Sequence, residues 1–433
     1  RFHLDRRRGQ GLRPGRRFCQ AAGVPQRPPT PLHMFRFAAP AWRCAAAAAG
    51  PISAAVAAAG VSDRPRERGR RLVLAEPVPK KGDFGGGSQK YTPKSLVVSG
   101  TRTMSHGPIR IFSGNAHPQL AHDIAAAMGV PLSNATVERF KCGEISVVIN
   151  ESVRDCDVFV IQPTCNGGGG PQEHMMELLV MLDAIRRGAA NRVTAVMPLY
   201  GYARQSSKDR SRSPITARLV TDLLQVAGAN RVLTIELHVS QIQGFASYPI
   251  DNMYALPLLA QAIERVMEER GIVSDDLVVV SPDVGGAKRA SAFAKKLHAP
   301  LAIFSRQRRR ANETAEVDLV GEVDGKTCIV IDDIADSCET LCVSASKLKA
   351  RGAKAVIGVV VHGVFSDPAC ENITNSELEC VIVTDTIPIE DKAKRCPKLQ
   401  VVSVAPLLAA AIGRIHSSES LSELFEALPC EAH

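Results

Sequence analysis

Residues 327–340 read T-C-I-V-I-D-D-I-A-D-S-C-E-T. An apolar, mostly β-branched run leads into the adjacent acids Asp332 and Asp333. A turn follows, and a helix is expected to begin near 336–337. A strand whose carboxyl end opens into a helix N-terminus is where α/β sheets place ligands. Backbone N–H groups and the helix dipole at such a point favour a phosphate. Strand-end carboxylates accept hydrogen bonds from vicinal sugar hydroxyls. One segment therefore suits a sugar phosphate, with acids for the sugar and a loop for the phosphate. The plainer reading makes Asp336 or Ser337 an ordinary N-cap. Capping alone does not require two adjacent strand-end acids.

The same grammar extends on both sides. Short apolar runs stand at 109–112, 158–161, 193–197, 232–237, 277–280, 301–304, 328–331, 356–361, 381–383 and 401–404. Amphipathic stretches of helical length, such as 117–128, 173–187, 215–227, 287–297 and 339–350, separate many of them. Continuous apolar strands alternating with helices indicate an α/β protein whose parallel sheets are covered on both faces. A weak repeat accompanies this. R-G-A at 187–189, A-G-A at 227–229 and R-G-A at 351–353 are each expected to end a helix with glycine in the left-handed C′ position. A-A-A-M-G-V-P-L at 125–132 resembles A-K-K-L-H-A-P-L at 294–301. Two similar domains in tandem, joined near 254–257, is the natural reading; shared packing grammar without duplication is the alternative.

Length and composition set the outer bounds. The 433 residues, 45% apolar, are enough for two or three domains with real cores. Twelve cysteines without a CxxC pair argue against a disulfide scaffold and against a structural zinc site. No apolar run has the length and composition of a membrane span, so no membrane partner is expected. Aromatics at 4% argue against a stacking platform for single-stranded nucleic acid. The net charge of +9 is unevenly spread. Residues 1–106 carry 20 Lys+Arg against 5 Asp+Glu, which leaves 33 against 39 for residues 107–433. The basic character belongs to a leader on a mildly acidic body, and no nucleic-acid partner is expected.

Residues 1–79 hold 15 arginines and no lysine. The first methionine is Met34, which opens an Arg- and Ala-rich, acid-poor stretch. Residues 1–33 are open to two readings, native chain or translated upstream sequence. The leader is expected to be a disordered extension or an organelle transit peptide, mitochondrial or plastid, with a cytoplasmic location if it is neither. G-G-G-S at 85–88 marks a flexible linker into the body.

Four further stretches carry chemistry. Y-G-Y-A-R-Q at 200–205 runs into Arg204, Lys208, Arg210 and Arg212, a cationic loop able to close over a triphosphate. In S-P-D-V-G-G-A-K-R at 281–289, Gly285 and Gly286 let the backbone approach a pyrophosphate, and Asp283 is placed to meet its Mg²⁺. Glu236 and His238 end a strand, and alternation puts them on one face as a carboxylate and an imidazole for a nucleotide–Mg²⁺ site. S-R-Q-R-R-R at 305–310 follows the 301–304 strand; alone, such a run is usually a solvated face.

Together with F-S-G-N at 112–115 and H-V-S-Q-I-Q-G-F at 238–245, these stretches and the 327–340 segment resemble, in order and spacing, the ribose-phosphate pyrophosphokinase family. The resemblance spans roughly residues 108–428. The leader and linker over 1–106 lie outside it; the resemblance implies two tandem phosphoribosyltransferase-like domains, 107–255 and 256–430, each a mostly parallel sheet flanked by helices. It implies transfer of the pyrophosphoryl group of Mg·ATP to the C1 hydroxyl of ribose 5-phosphate, with Mg²⁺ as cofactor. By the same resemblance ribose 5-phosphate is held by Asp332, Asp333, Asp336, Ser337, Cys338 and Thr340. ATP is held by Phe140, Glu144, Arg204, Gln205, Lys208, Asp209 and His238. Metal contacts fall to His238, Asp283, Glu236 and Asp251, and Arg306 and Arg308 stabilise the transferring group. A homo-oligomer, a hexamer by family habit, or a hetero-oligomer with paralogues is implied. Several site positions depart from the family pattern. Its catalytic Lys is Arg306, an Asp is Glu236, and a Gly and a Thr of the phosphate loop are Glu339 and Ser337. Glu339 is expected to weigh most, as a carboxylate beside a phosphate where Gly would permit φ > 0. These departures keep a second reading open, a non-catalytic regulatory subunit associated with active enzyme.

Overall fold

The computed structural model describes residues 106–425 apart from 209 and 308–315, with backbone alone at 306, 307, 316 and 317. Expectations for the leader, for Asp209 and for Arg308 fall outside the described residues.

In the first half, β1 (Ile109–Ser113), α1 (Pro118–Met128), β2 (Ala135–Arg139), β3 (Ile145–Ile149), β4 (Asp157–Ile161), α2 (Pro171–Arg187), β5 (Arg192–Met197), α3 (Thr216–Ala227), β6 (Arg231–Ile235) and β7 (Ile250–Met253) follow one another. The second half runs α4 (Leu256–Arg270), β8 (Leu277–Ser281), α5 (Ala287–Lys296), β9 (Leu301–Gln307), β10 (Glu316–Val320), β11 (Thr327–Ala335), α6 (Glu339–Ala350), β12 (Ala355–Gly363), α7 (Ala369–Thr374), β13 (Cys380–Thr384), α8 (Glu390–Arg395), β14 (Leu399–Val402) and α9 (Ala405–His416). Three short 3₁₀ turns lie among them, at Ser240–Phe245, Ser274–Asp276 and Ser422–Leu424.

One sheet has the order β1-β4-β5-β6-β7, all parallel. The other has the order β10-β9-β8-β11-β12-β13-β14, parallel except for the antiparallel β9–β10 pair. Strands β4, β8 and β12 are buried end to end because helices cover both faces of a parallel sheet. In the second sheet the chain leaves β8 on one side to make β9 and returns on the other to make β11. That reversal is a topological switch point, and the crevice beyond the carboxyl ends of β8 and β11 is where such folds bind ligands. The turn after β8 begins with Pro282 and Asp283, and β11 carries Asp332 and Asp333.

The two sheets share one apolar core. Ile111, Phe159, Leu233 and Met253 of the first join Leu277, Ile329, Ile357 and Ile382 of the second through α1, α4, α5 and α9. Helix α9 packs on α1. Its end is pinned by the fully buried Asp157, which accepts from Arg192 Nε at 2.8 Å and pairs with His416 Nδ1 at 2.9 Å. Among the described residues no helix is long and apolar enough to cross a membrane.

Several local expectations change. The β2–β3 hairpin, β7 and β10 are strands the apolar runs did not mark. The strand expected at 401–404 is β14, two residues earlier. Gly228 and Gly352 are left-handed after α3 and α6, but Gly188 after α2 is not; Ala189 takes the left-handed conformation instead. Gly188 is needed for space, since a Cβ there would meet Val153 Cγ2 at 2.6 Å.

Candidate active site

Strand β6 ends at Ile235 because Glu236 turns into the left-handed region, φ +47°. A non-glycine residue held there costs on the order of 1–3 kcal/mol. Strand alternation therefore stops one residue short of Glu236, and its carboxylate turns into the protein rather than opening beside His238. Oε1 accepts from Arg289 Nε at 3.0 Å and Oε2 from the Ala255 N–H at 3.4 Å. Both oxygens are engaged by protein donors, so Glu236 is a buried counter-ion and not an open metal ligand. Arg289 occupies the third position of α5, where the helix dipole opposes a cation. It is held by two carboxylates, Glu236 and Asp333, the latter at 3.5 Å.

Asp333 also accepts from His238 Nδ1 at 2.7 Å, across the seam between the sheets. An ionised carboxylate only accepts, so Nδ1 carries the proton. The Asp333 N–H donates to Asp332 Oδ1 at 2.9 Å. Burial, reinforced by the Asp333 charge, pushes Asp332 above the ordinary carboxylate range. Burial acts on Asp333 in the same direction, but the His238 hydrogen bond and the Arg289 guanidinium prevail and hold it low. The bond to Asp333 raises His238 against its own burial. Burial raises Glu236, and Arg289 offsets only part of this. The cluster thus keeps one carboxylate ionised beside another that protonates readily.

Beyond Asp333 the chain turns at Cys338, φ +62°, the N-cap of α6. The N–H groups of residues 339–341 have no partner within the helix. The Cys342 N–H is the first to bond back, to Cys338 O at 2.9 Å. Asn372 Nδ2 holds the Ser337 carbonyl at 2.9 Å. From the first half, Arg204 reaches Asp336 at 3.1 Å, so the cationic loop after β5 meets the loop after β11. That cationic loop is anchored at its base. The Tyr200 hydroxyl is 2.8 Å from Thr221 Oγ1, the Gly201 N–H donates to Thr164 Oγ1 at 2.7 Å, and Thr216 Oγ1 donates to Gln205 Oε1 at 2.5 Å. After β8, Asp283 Oδ1 accepts from the Gly286 N–H at 2.8 Å and caps the turn into α5. Strand β9 outruns its parallel pairing with β8, which ends at Ser281 opposite Ile303, by four residues. The Arg306 backbone, opposite Val317, therefore stands beyond the carboxyl end of β8.

Residues 109–228 match the family described as the N-terminal domain of ribose phosphate pyrophosphokinase, and residues 308–426 match the phosphoribosyl synthetase-associated domain. "Ribose-phosphate pyrophosphokinase 2" of Schizosaccharomyces pombe is 46% identical over 326 residues, 75% of this chain and 100% of that protein. The chain belongs to the ribose-phosphate pyrophosphokinase family. "Ribose-phosphate pyrophosphokinase A" of Dictyostelium discoideum is likewise 46% identical, over 73% of this chain and 98% of its own length. The crystal structure of phosphoribosylpyrophosphate synthetase from Mycobacterium smegmatis superposes with a TM-score of 0.66 at 42% identity, covering 72% of this chain and 99% of that one.

Within a pyrophosphokinase, the seam gathers Glu236, His238, Asp332 and Asp333, with Arg204 and Asp336 paired beside them. Asp251 is not among them. It pairs with Arg231 at the start of β6, toward the other end of the strand from His238. Phe140 and Glu144 close the turn of the β2–β3 hairpin, which pairs with neither main sheet. Phe140 is 57% exposed there, so it is not a core residue. Lys208 is exposed on the cationic loop. The left-handed position of the phosphate loop belongs to Cys338, not Glu339. Glu339 is exposed in the first turn of α6, where the helix dipole favours an acid. Thr340 is exposed in the same turn, and its carbonyl accepts from Ser344 Oγ. Reading the sequence missed Arg289 as a site residue, although it closes the G-G-A-K-R run. It also missed His362, whose one trace is a lone polar residue in the apolar run V-V-V-H-G at 359–363.

Among the described residues no three His, Cys, Asp or Glu side chains form a metal cage. Mg²⁺ requires no such cage, since it usually keeps several waters and is held by one or two protein groups together with substrate phosphates.

Proposed function

We propose that this pyrophosphokinase binds ribose 5-phosphate at the β11–α6 turn and Mg·ATP along the loop after β5, and moves the β,γ-diphosphoryl group between them. The observation that carries this is the seam itself. The Arg204–Asp336 pair joins the loop after β5 to the turn before α6, and the Asp333–His238 bond ties β11 to the segment after β6. Asp332 and Asp333 accept from the ribose hydroxyls, and the N–H groups opening α6 take the 5-phosphate. Phe140 and Glu144 serve the adenine side, with Gln205 and Lys208 along the nucleotide. Mg²⁺ supplies charge neutralisation on the diphosphate; His238 and Asp283 would hold it. The C1 hydroxyl of the sugar attacks the β-phosphorus in line, the bond to the α-phosphate oxygen breaks, and AMP leaves. Phosphoryl transfer of this kind asks the protein for positioning and cationic clamping more than for covalent chemistry. Arg204 and Arg306 supply that charge.

The place of Glu339 supports turnover over a purely regulatory role. An exposed acid in a first helical turn does not crowd the N–H groups beside it. A homo-oligomer is the assembly we expect, read by light scattering on the purified chain. Residues 34–106 are proposed to direct organelle import, read by the location of a reporter carrying them. The function is tested by AMP formation from ATP that depends on ribose 5-phosphate; no AMP with both substrates and Mg²⁺ present would refute it.

A further inference from the structure

His362 lies at the carboxyl end of β12, fully buried in an apolar stretch. The β12–β13 register shifts between Val360 and His362, the kind of irregularity that re-aims a side chain. The ring points across the seam. Nε2 is 3.1 Å from the Ile235 carbonyl and 3.2 Å from the Glu236 carbonyl; Nδ1 is 2.8 Å from Thr386 Oγ1. Carbonyls only accept, so Nε2 carries the hydrogen and shares it between both oxygens. Nδ1 then accepts from the Thr386 hydroxyl. Burial pushes the ring down to about 4, which keeps it in this neutral form.

The two gripped carbonyls belong to the two peptide planes that flank the Glu236 Cα. The Ile235–Glu236 plane sets φ of Glu236, and the Glu236–Leu237 plane sets its ψ. A single N–H from the second sheet thus fixes both dihedrals of the one strained residue at the end of β6. That turn sends the Glu236 carboxylate to Arg289 and carries the chain on to His238 and its bond to Asp333.

We propose that His362 is a positioning residue for diphosphoryl transfer: it clamps the Glu236 turn from the opposite sheet and thereby sets the Arg289–Asp333–His238 constellation. This rests on the reaction proposed above. Thr386 is part of the device, because its hydroxyl is the partner of Nδ1; without it a buried ring nitrogen goes unpaired and the ring is held at one end only.

The test compares four full-length variants. His362→Phe removes the donor at similar volume, His362→Gln keeps an N–H donor, Thr386→Val removes the partner of Nδ1, and Val381→Ala trims the buried core of β13 opposite Gly358, with no hydrogen bond to the clamp. Initial rates of AMP formation give kcat and KM, and a crystal structure of each variant gives φ of Glu236. We expect His362→Phe to lower kcat by on the order of 10- to 100-fold with KM changing far less. His362→Gln should recover most of that loss, and Thr386→Val should show a smaller loss of the same kind. Val381→Ala should lower the melting temperature with kcat within about twofold of wild type. In the His362→Phe crystal, Glu236 should leave the left-handed region or lose Arg289. The proposal is overturned if His362→Phe loses no more kcat than Val381→Ala at matched melting temperature, or if its Glu236 turn is unchanged. Should His362→Phe fail to fold, an unchanged kcat in Thr386→Val overturns the proposal and a reduced one supports it. A wild-type chain without turnover would sink the reaction itself, and φ of Glu236 in the variants would still decide the clamp.

Discussion

Replacing Arg289 with Met strips two nearly buried carboxylates of the cation they share. The guanidinium contacts Glu236 at 3.0 Å and Asp333 at 3.5 Å, and both acids are less than a tenth exposed. At an effective dielectric near 20, each contact is on the order of 5 kcal/mol of attraction before desolvation is counted. Burying the arginine offsets much of that. The net cost of removing one partner from a buried pair is about 3–5 kcal/mol, because charge is left behind without compensation. We expect Arg289→Met to lower the thermal midpoint by roughly 4–8 °C, taking about 1.5 °C per kcal/mol for a body of this size. The pH dependence carries a sign. Without the cation, the folded-state pKa of Glu236, already raised by burial, rises further, while the His238 bond still holds Asp333 down. The folded chain then binds more protons than the unfolded one above about pH 4, and its stability falls as pH rises. The deficit against wild type should therefore be smaller at pH 5 than at pH 8. Adding Glu236→Gln to Arg289→Met should return part of the loss. Calorimetric melts of wild type, both single variants and the double variant at both pH values make the assay. A cost below about 1 kcal/mol, the worth of an exposed ion pair, or a deficit that shrinks toward pH 8, would refute this account of the cluster.

Further outcomes follow from the same geometry. Burial raises Asp157, but His416 and Arg192 overcome it and hold the carboxyl below its ordinary value, so its contribution is present above about pH 4 and lost as pH falls through the folded value. Asp157→Asn should cost about 3–5 kcal/mol at pH 7 and flatten the acid limb of the melting curve; an unchanged acid limb would contradict it. Asp332→Ala and Asp336→Ala should each weaken ribose 5-phosphate binding by calorimetry while ATP binding survives; sugar-phosphate affinity unchanged in both would remove the β11–α6 assignment. Glu339→Gly should change the KM for ribose 5-phosphate by less than about fivefold, since the acid is exposed. Arg306→Lys should raise kcat, because a compact ammonium and a planar fork place charge differently.

The parallel sheets and the β11–α6 site were legible because their signal is local. An apolar run, two acids and a helix start within fourteen residues carry the whole reading, although α6 begins at Glu339 with Cys338 as its N-cap, two to three residues later than the start expected near 336–337. The hairpin at 135–149 was not legible as strands, because its faces are half exposed and β2 ends in charge at Glu138 and Arg139. Strand β7, I-D-N-M, is too short and polar to announce itself. Glu236 misled for a different reason: alternation assumes the strand continues, and it stops at Ile235. Arg289 and His362 act on residues 53 and 126 positions away, contacts that only the fold creates. Glu339 was weighed as the strained position of the loop because a family glycine stands there. The strain sits one residue earlier, on Cys338, and leaves Glu339 free to begin the helix.

The most direct test of the central claim is a ³¹P NMR time course of the full-length chain with ATP, Mg²⁺ and ribose 5-phosphate. The account predicts that the β and γ resonances of ATP move together into a diphosphate ester attached at C1 of the sugar, with one AMP formed per ester. ADP with a phosphomonoester, ADP with free phosphate, or an unchanged spectrum alongside an active control enzyme would contradict it.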